Sequence, residues 1–523
     1  MVTLLHPGVY VSEVASSLRP IEGAATSTAI FAGETERGPL GATKITSRSD
    51  YERLFGGYYR VRDTASPQPA PTRVLMAYAM DAFFGNGGRT AYVVRAIDNA
   101  GTAVPSSDGP LEANSPGVWG DGIAVAVLPA TGGDTARFRI AVVYDSPDVG
   151  SPRRLVETWD RLSTDPQDEN YVVDVLRRSL YIRWRQASPI VAPAPTALGP
   201  TPTESDIVSG AVPLTGGVGG GGDLSAAGYA DVLAEALEGV DDASLLVAGC
   251  DALLTDAPDY TDYVGQFVSY VENRPRLDLF FVGDLPRQRT AATPTLATQA
   301  TTAAFDELPV SNFAAMYWPH VVVGDVAGVG RSPSIVLPPA AFVAGLYART
   351  DARRGVWKAP AGTETTLGGT IGLEHALTDL HSDDLNPAGV NALRTMPGAG
   401  RVVWGSRTMQ PAGEWRYVPV RRTAIFLRTS IYNGIQWAVF EPNDEPLWAS
   451  LRVSIGAFME TQFRRGAFAG RTSGEAFLVK VDSDTTTPAD QAAGVVNILV
   501  GFAPLRPAEF VVVQLSQRTQ APA

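Results

Sequence analysis

Ser244-Leu-Leu-Val-Ala248, Leu277-Asp-Leu-Phe-Phe-Val282 and Phe313-Ala-Ala-Met-Tyr317 are short apolar runs, separated by helical patterns at 260–272 and about 292–305 and preceded by another at 225–238. Short runs that stay apolar on successive positions suit strands covered on both faces, and their alternation with helices implies a mostly parallel sheet flanked by helices. This stretch sets the fold class as α/β.

Immediately upstream lies Gly216-Gly-Val-Gly-Gly-Gly-Gly222. A phosphate cradle would need Gly-Lys-Ser/Thr at its end or a helix directly after a buried strand. Asp223 follows instead and repels phosphate, so the run reads as a surface loop. Residues 25–98 add a second α/β segment: a strand at Thr28–Gly33, a helix capped by Ser49 and running to Phe55, a helix over Thr72–Phe84, and a strand at Thr90–Ile97. Between 99 and 200, short strands such as Ile123–Leu128 and Phe138–Tyr144 sit among Pro, Gly, Ser and Asp, which marks a β-rich insertion closed by the proline-rich Ser188–Pro202. From 340 to 505 helices are expected at Ala341–Thr350 and Pro446–Arg465, and strands at Arg401–Trp404, Trp415–Val420 and Glu475–Val481. Each terminus carries a short strand pattern, Gly8–Val14 and Glu509–Leu515. Such a strand either completes an internal sheet or is donated to a neighbour by β-augmentation.

The 523 residues are 45% hydrophobic and 19% charged, enough for several cores and about three or four domains. The net charge of −13 argues against a general nucleic-acid binder. It is unevenly spread, at −16 over residues 1–400 and +3 over 401–523. Lys44, Lys358 and Lys480 are the only lysines, so 39 of 42 basic residues are arginine; a GC-rich genome accounts for such a skew, and interface use of Arg is the sharper explanation. Cys250 stands alone, which leaves no disulfide, and reads as a buried thiol. The N-terminus shows no secretory signal, and the longest apolar stretch, Ile335–Ala348, is broken by Pro338-Pro339 and too short for a bilayer. A soluble cytoplasmic product without direct membrane insertion is expected.

Chemistry is sparse. His375 and His381 are six apart and fall on different helical faces; with Asp379, Asp383 and Asp384 they read as a solvated acidic loop rather than a metal site. No Gly-x-Ser-x-Gly elbow supports a Ser/His/Asp hydrolase. No catalytic residue, cofactor or metal is assigned. Glu441-Pro-Asn-Asp-Glu-Pro-Leu-Trp448 leads into a helix whose Leu451, Ile455, Phe458, Met459 and Phe463 form an apolar stripe, with Asn443 or Asp444 as N-cap. Its other side carries Arg452, Arg464 and Arg465, which either suit the helix dipole or face an acidic partner.

Taken together, these segments resemble contractile tail sheath proteins of bacteriophage tails and phage-tail-like contractile injection systems. The resemblance runs through Pro7-Gly8-Val9-Tyr10-Val11, Arg37-Gly38-Pro39, Phe84-Gly85-Asn86-Gly87-Gly88 and Tyr92-Val93-Val94-Arg95. It continues in Tyr317-Trp318-Pro319, Tyr347-Ala348-Arg349-Thr350-Asp351 and Gly355-Val356-Trp357-Lys358-Ala359-Pro360. It is densest in Val403-Trp404-Gly405-Ser406-Arg407-Thr408, Arg421-Arg422, Phe440-Glu441-Pro442-Asn443 and Pro507-Ala508-Glu509-Phe510. It covers residues 1–98 and about 205–523; residues 99–200 lie outside it.

The resemblance implies a subunit that stacks as hexameric rings, or a helix, around an inner tube protein and contracts to drive the tube through a target envelope. Further implied partners are copies of itself, baseplate proteins and terminal cap proteins. It implies N- and C-terminal arms, 1–24 and 506–523, whose Val9, Tyr10, Val11 and Phe510, Val511, Val512, Val513 pair with neighbouring subunits. The implied domains are a discontinuous inner domain (25–98 with 350–505), a β-rich outer insertion (99–204) and a non-catalytic α/β domain of subtilisin-like topology (205–349). By region only, it places Arg452, Arg464 and Arg465 against the tube. The competing expectations are a hydrolase on the subtilisin-like fold and a surface-layer or adhesin protein.

Overall fold

The computed structural model describes residues 19–61, 72–97, 104–146, 152–185, 190–198, 201–219, 226–249, 257–289, 291–326 and 334–509. Val9, Tyr10, Val11, Cys250, Gly220–Gly222 and Phe510–Val513 lie outside them. The chain divides into two compact units, 25–422 and 1–24 with 423–523.

In the larger unit the first segment runs β1 (Ala29–Gly33), β2 (Thr43–Ile45), α1 (Arg48–Phe55), β3 (Tyr59–Val61), β4 (Thr72–Val74), α2 (Met76–Gly85) and β5 (Ala91–Arg95). The insertion holds β6 (Ser107–Asp108), β7 (Leu111–Ala113), β8 (Ile123–Pro129), β9 (Phe138–Tyr144), β10 (Arg154–Leu162), α3 (Val172–Leu176), β11 (Ile182–Trp184), α4 (Glu204–Gly210) and β12 (Val212–Pro213). The α/β alternation follows as α5 (Ala226–Ala236), β13 (Leu245–Ala248), α6 (Ala257–Asn273), β14 (Phe280–Asp284), α7 (Pro294–Asp306) and β15 (Ala314–Trp318). Then come β16 (Val321–Gly324), β17 (Ser334–Leu337), α8 (Ala340–Arg354), β18 (Thr370–Leu373), α9 (Asp379–Ala388), β19 (Asn391–Met396) and β20 (Gly400–Val403). Helix α10 (Val418–Gly434) carries the chain into the smaller unit, which holds α11 (Glu445–Arg464), α12 (Ser473–Ala476), β21 (Phe477–Lys480), α13 (Pro488–Ala492) and β22 (Leu499–Phe502).

One eight-stranded sheet, in the order β2-β5-β1-β13-β14-β15-β19-β20, organises the larger unit. From β5 to β19 all neighbours are parallel, and antiparallel β2 and β20 close the edges. Both faces are covered, as the uniformly apolar strands require. Ile30, Leu246, Phe281 and Met316 point to a core shared with Tyr229 of α5, Phe267 of α6 and Leu385 of α9. The alternate residues turn the other way: Phe31 meets Phe83 of α2 edge-on at 5.1 Å between ring centroids, and Tyr317 shares a buried hydroxyl contact with Tyr347 of α8. The sheet draws strands from 25–98, 205–349 and 350–505, stretches that the sequence reading distributed over two domains.

The insertion forms an antiparallel sheet, β10-β9-β8-β12, and a smaller one, β11-β7-β6. Buried charge fastens it to the main sheet. Glu36, just past β1, accepts hydrogen bonds from the Tyr144 hydroxyl (2.8 Å), Ser146 Oγ (2.9 Å) and Gly57 N (3.0 Å). Arg95 at the end of β5 donates to the carbonyls of Gly38 (3.1 Å) and Pro116 (2.8 Å).

Several local expectations shift for physical reasons. The cap of α1 is Ser47, accepting from Asp50 N, and Ser49 lies in the first turn. The helix expected from Thr72 begins at Met76, because Thr72–Val74 pairs with β3. The strand expected at Leu277 begins at Phe280, since Leu277 has φ +47° and Arg274 forms a buried ion pair with Asp278. Trp415–Val420 is not a strand: α10 starts at Val418, where Pro419 sits in a first turn that needs no N–H from it. The acidic segment around Asp383 and Asp384 is helix α9 rather than a loop. Gly216–Gly219 is not a free loop either: Val218 bridges to Val104, and Gly219 O accepts from Val118 N at 2.8 Å.

Candidate functional site

In the main sheet the chain steps from β1 to β5 on one side, then from β13 through β15 on the other, so the switch point falls between β1 and β13. Open α/β sheets take ligands in the crevice beyond the carboxyl ends of the strands at that point. Here Met76 of α2 fills it. A Cβ on Gly33 would lie 2.8 Å from Met76 Cε, and one on Gly249 would lie 2.4 Å from the same atom. At the end of β14, Asp284 is 3% exposed and accepts from Ala340 N, capping α8, for which Pro339 supplies no side-chain cap. Burial holds its carboxyl well above the usual carboxylate range, the Ala340 N–H opposing. Asp284 is thus spent on a helix end.

The described histidines are likewise engaged by the fold. His320 is 3% exposed; burial, with the charges of Arg287, Arg289 and His375, pushes its pKa down to about 3. His375 stacks on Trp318 with ring centroids 5.3 Å apart, and His381 Nδ1 accepts from Thr378 N at 3.0 Å in the cap of α9. Among the described residues no group of three His, Cys, Asp or Glu side chains could hold a metal ion. No helix among them is long and apolar enough to cross a membrane.

The smaller unit presents candidate surfaces. Helix α11 is capped by Asp444, which accepts from Leu447 N, with Pro446 in the first turn. It buries Leu447, Trp448, Leu451, Ile455, Phe458 and Met459, which is the expected stripe apart from the half-buried Phe463. The three arginines singled out on this helix differ. Arg452 Nη1 donates to Val481 O and Nη2 meets Glu445 at 3.1 Å. Arg464 is 77% exposed and pairs with Glu460, at 2.9 Å. Arg465 is exposed and caps the helix end. The structure puts Arg464 and Arg465 side by side at one end and Arg452 three turns away.

Beside α11 lies a two-stranded sheet in which Phe477 pairs with Phe502 and Lys480 with Leu499. Its inner face packs Val479 beside Val481 and Leu447, and Phe477 and Phe502 around Phe468. Its outer face exposes Leu478 (54%) and Leu499 (52%). The sequence reading missed this open face, and it missed Phe440, fully exposed with φ +71°. The motif Phe440-Glu441-Pro442-Asn443 was visible, but exposure is not written in a motif.

Residues 222–409 match the model of the phage tail sheath protein central domain, and residues 411–518 that of the phage tail sheath C-terminal domain. A prophage major tail sheath protein of Pseudomonas aeruginosa is 28% identical over 176 residues, 33% of this chain and 44% of that protein. The tail sheath protein of Vibrio phage KVP40 is 32% identical over 127 residues, 24% of this chain and 19% of its own length. The chain thus spans less than half the length of either relative. The sheath of an extracellular contractile injection system (PVC), solved in the contracted state, superposes over 99% of both chains with a TM-score of 0.58 at 22% identity. The contracted helical sheath of the anti-feeding prophage gives 0.55 at 23%, over 99% of this chain and 100% of that one. At these identities the superpositions speak for the fold.

Proposed function

The chain belongs to the phage tail sheath family, and from that membership we propose that it is a structural subunit that polymerises with copies of itself around an inner tube. Its work is mechanical: stacked hexameric rings contract and drive the tube through a target envelope. The observation that carries this reading is the β21–β22 sheet. A two-stranded ribbon is marginal by itself, and this one leaves its outer face to solvent and, among the described residues, has no third strand. Strands donated by neighbours, Val9, Tyr10 and Val11 from one end and Phe510–Val513 from the other, would complete it, and backbone ladders of that kind survive rigid-body rotation of the units they tether.

Contraction then needs no nucleotide: a contracted state that buries slightly more area per subunit gains from every copy. Inner tube, baseplate and cap proteins are the remaining partners. For the tube, Arg464 and Arg465 extend from the end of α11, while Arg452 is partly engaged by Val481 and Glu445. No catalytic role is assigned, and the Met76-filled crevice supports that reading. Negative-stain microscopy of the full-length protein against a chain lacking Ala508–Ala523 tests the proposal: tubes or rings from the first and a folded, unpolymerised subunit from the second are expected. Normal sheath from the truncated chain would overturn the donated C-terminal strand; a full-length chain that never polymerises would overturn the sheath reading.

A further inference from the structure

We infer that, before assembly, α11 of one free subunit pairs antiparallel with α11 of a second copy. The outward face of this helix is unusual for a surface that meets water. It runs Ala449, Ser450, Val453, Gly456 and Ala457, with Val453 52% exposed; Arg452, tied to Glu445 and the Val481 carbonyl, borders it, and the remaining charges lie toward its ends. Solvated helix faces are normally polar along their length.

The ends are opposite in sign. Glu441, Asp444 and Glu445 are exposed around the first turn, and Arg464 and Arg465 at the last, Glu460 being the acidic residue beside them. The helix has 20 residues, about 30 Å of length, so each end of an antiparallel pair meets its complement twice over, as a two-fold contact requires. Phe440 completes the acidic end. Its side chain is wholly exposed on left-handed backbone, a conformation bulky residues avoid. The turn is held there: Asn443 Nδ2 donates to Val495 O (3.0 Å), and Trp448 Nε1 donates to Asn443 Oδ1 (2.9 Å). A ring so presented, among three carboxylates, suits a guanidinium from the second copy. Gly456 and Ala457 let the two helix backbones approach closely at the centre.

One helix pair is a small interface, so the affinity is weak, on the order of 10 µM. The inference rests on the exposure and charge of α11, not on the tube reading. Because the proposed tube contact uses the same face, the two states exclude each other, and the pairing covers the helix until a tube displaces the second copy.

Cross-linking of the full-length chain tests this. Aligning Arg464 with the first turn of the second copy puts Val453 and Ala457 at the two-fold axis. Val453→Cys should give a covalent dimer with a short bismaleimide at low salt; the parent chain, with Cys250 alone, and Ala492→Cys on α13 should not. Adding Arg464→Glu and Arg465→Glu should cut the dimer at least tenfold, and further adding Glu441→Arg and Glu445→Arg should restore it. In analytical ultracentrifugation Ala457→Glu should shift the dimer to monomer. No cross-link at position 453, or one indifferent to charge reversal, overturns the inference. Failure of the sheath reading would show separately, as absent polymer in the microscope.

Discussion

Arg422 and Asp351 form an ion pair in which both side chains are 3% exposed, and its removal is the sharpest test of how the larger unit is held together. The guanidinium reaches both carboxylate oxygens, at 3.0 and 2.6 Å, and donates to Thr26 O at 2.7 Å. It also lies over the Tyr347 ring, 4.5 Å from the centroid. Arg422→Ala leaves a carboxylate buried without its counter-charge, which costs about 3–5 kcal/mol. The orphaned Thr26 carbonyl and the lost ring contact add less than their separate worth, since all belong to one network. A net loss of about 4 kcal/mol is therefore expected, a large part of the roughly 5–15 kcal/mol available to a folded unit. Removing both charges behaves differently: Arg422→Met with Asp351→Leu eliminates the unpaired ion and should cost under about 2 kcal/mol. Urea unfolding followed by tryptophan fluorescence, on the wild type, both single variants and the double, measures the coupling. A loss below about 1 kcal/mol for Arg422→Ala, or a double variant as damaged as the sum of the singles, refutes the reasoning.

Acid should weaken the larger unit through His320. With a native pKa of about 3 against 6.5 in the unfolded chain, the unfolded state binds the proton first, so stability is complete above pH 6.5 and declines as the pH falls toward 3. Between pH 7 and 5 this one group accounts for about 2 kcal/mol, and His320→Leu should lose that component of the pH dependence in thermal melts; an unchanged profile excludes it. At the basic end of α11, Arg464→Glu with Arg465→Glu should weaken the proposed co-assembly with the tube protein at low salt, with the difference narrowing at about 1 M salt as the screening length shrinks to about 3 Å. Pelleting assays at two ionic strengths decide it, and unchanged co-sedimentation removes both residues as contacts.

What could be read from the sequence was mostly local. The runs at 244–248 and 313–317 declared buried strands because apolar residues on successive positions need cover on both faces. Asn443 and Asp444 both declared a helix start because such side chains compete with the backbone within one turn, and the structure caps α11 with Asp444. Errors came where a neighbour overrode the local signal: Thr72–Val74 pairs with β3 instead of joining α2, and Val418 opens a helix despite its β-branched surroundings. Long-range pairings were not legible. Nothing in Ala29–Gly33 says that it lies between β5 and β13, and nothing in Asp351 names Arg422, 71 residues away. The candidate surfaces divide the same way. The arginines of α11 could be picked out by type and position, whereas the open face of β21–β22 exists only once Leu478 and Leu499 are known to point the same way.

The smaller unit is built from both ends of the described chain: Ala24 N donates to Ser430 Oγ at 2.9 Å across 406 residues, and Arg19 lies 4.7 Å from the centroid of the Trp437 ring. At 5–20 residues per second, roughly 20–80 s of translation separate the synthesis of those two partners. The unit that carries α11 and the open sheet therefore cannot close while most of the polypeptide is still being made. Neighbouring ribosomes on one message hold many nascent chains close together, at a local concentration that favours premature association. Delaying the sticky unit until Ser430 has cleared the ribosome gives each chain time to fold its large α/β body before it has a finished surface to offer.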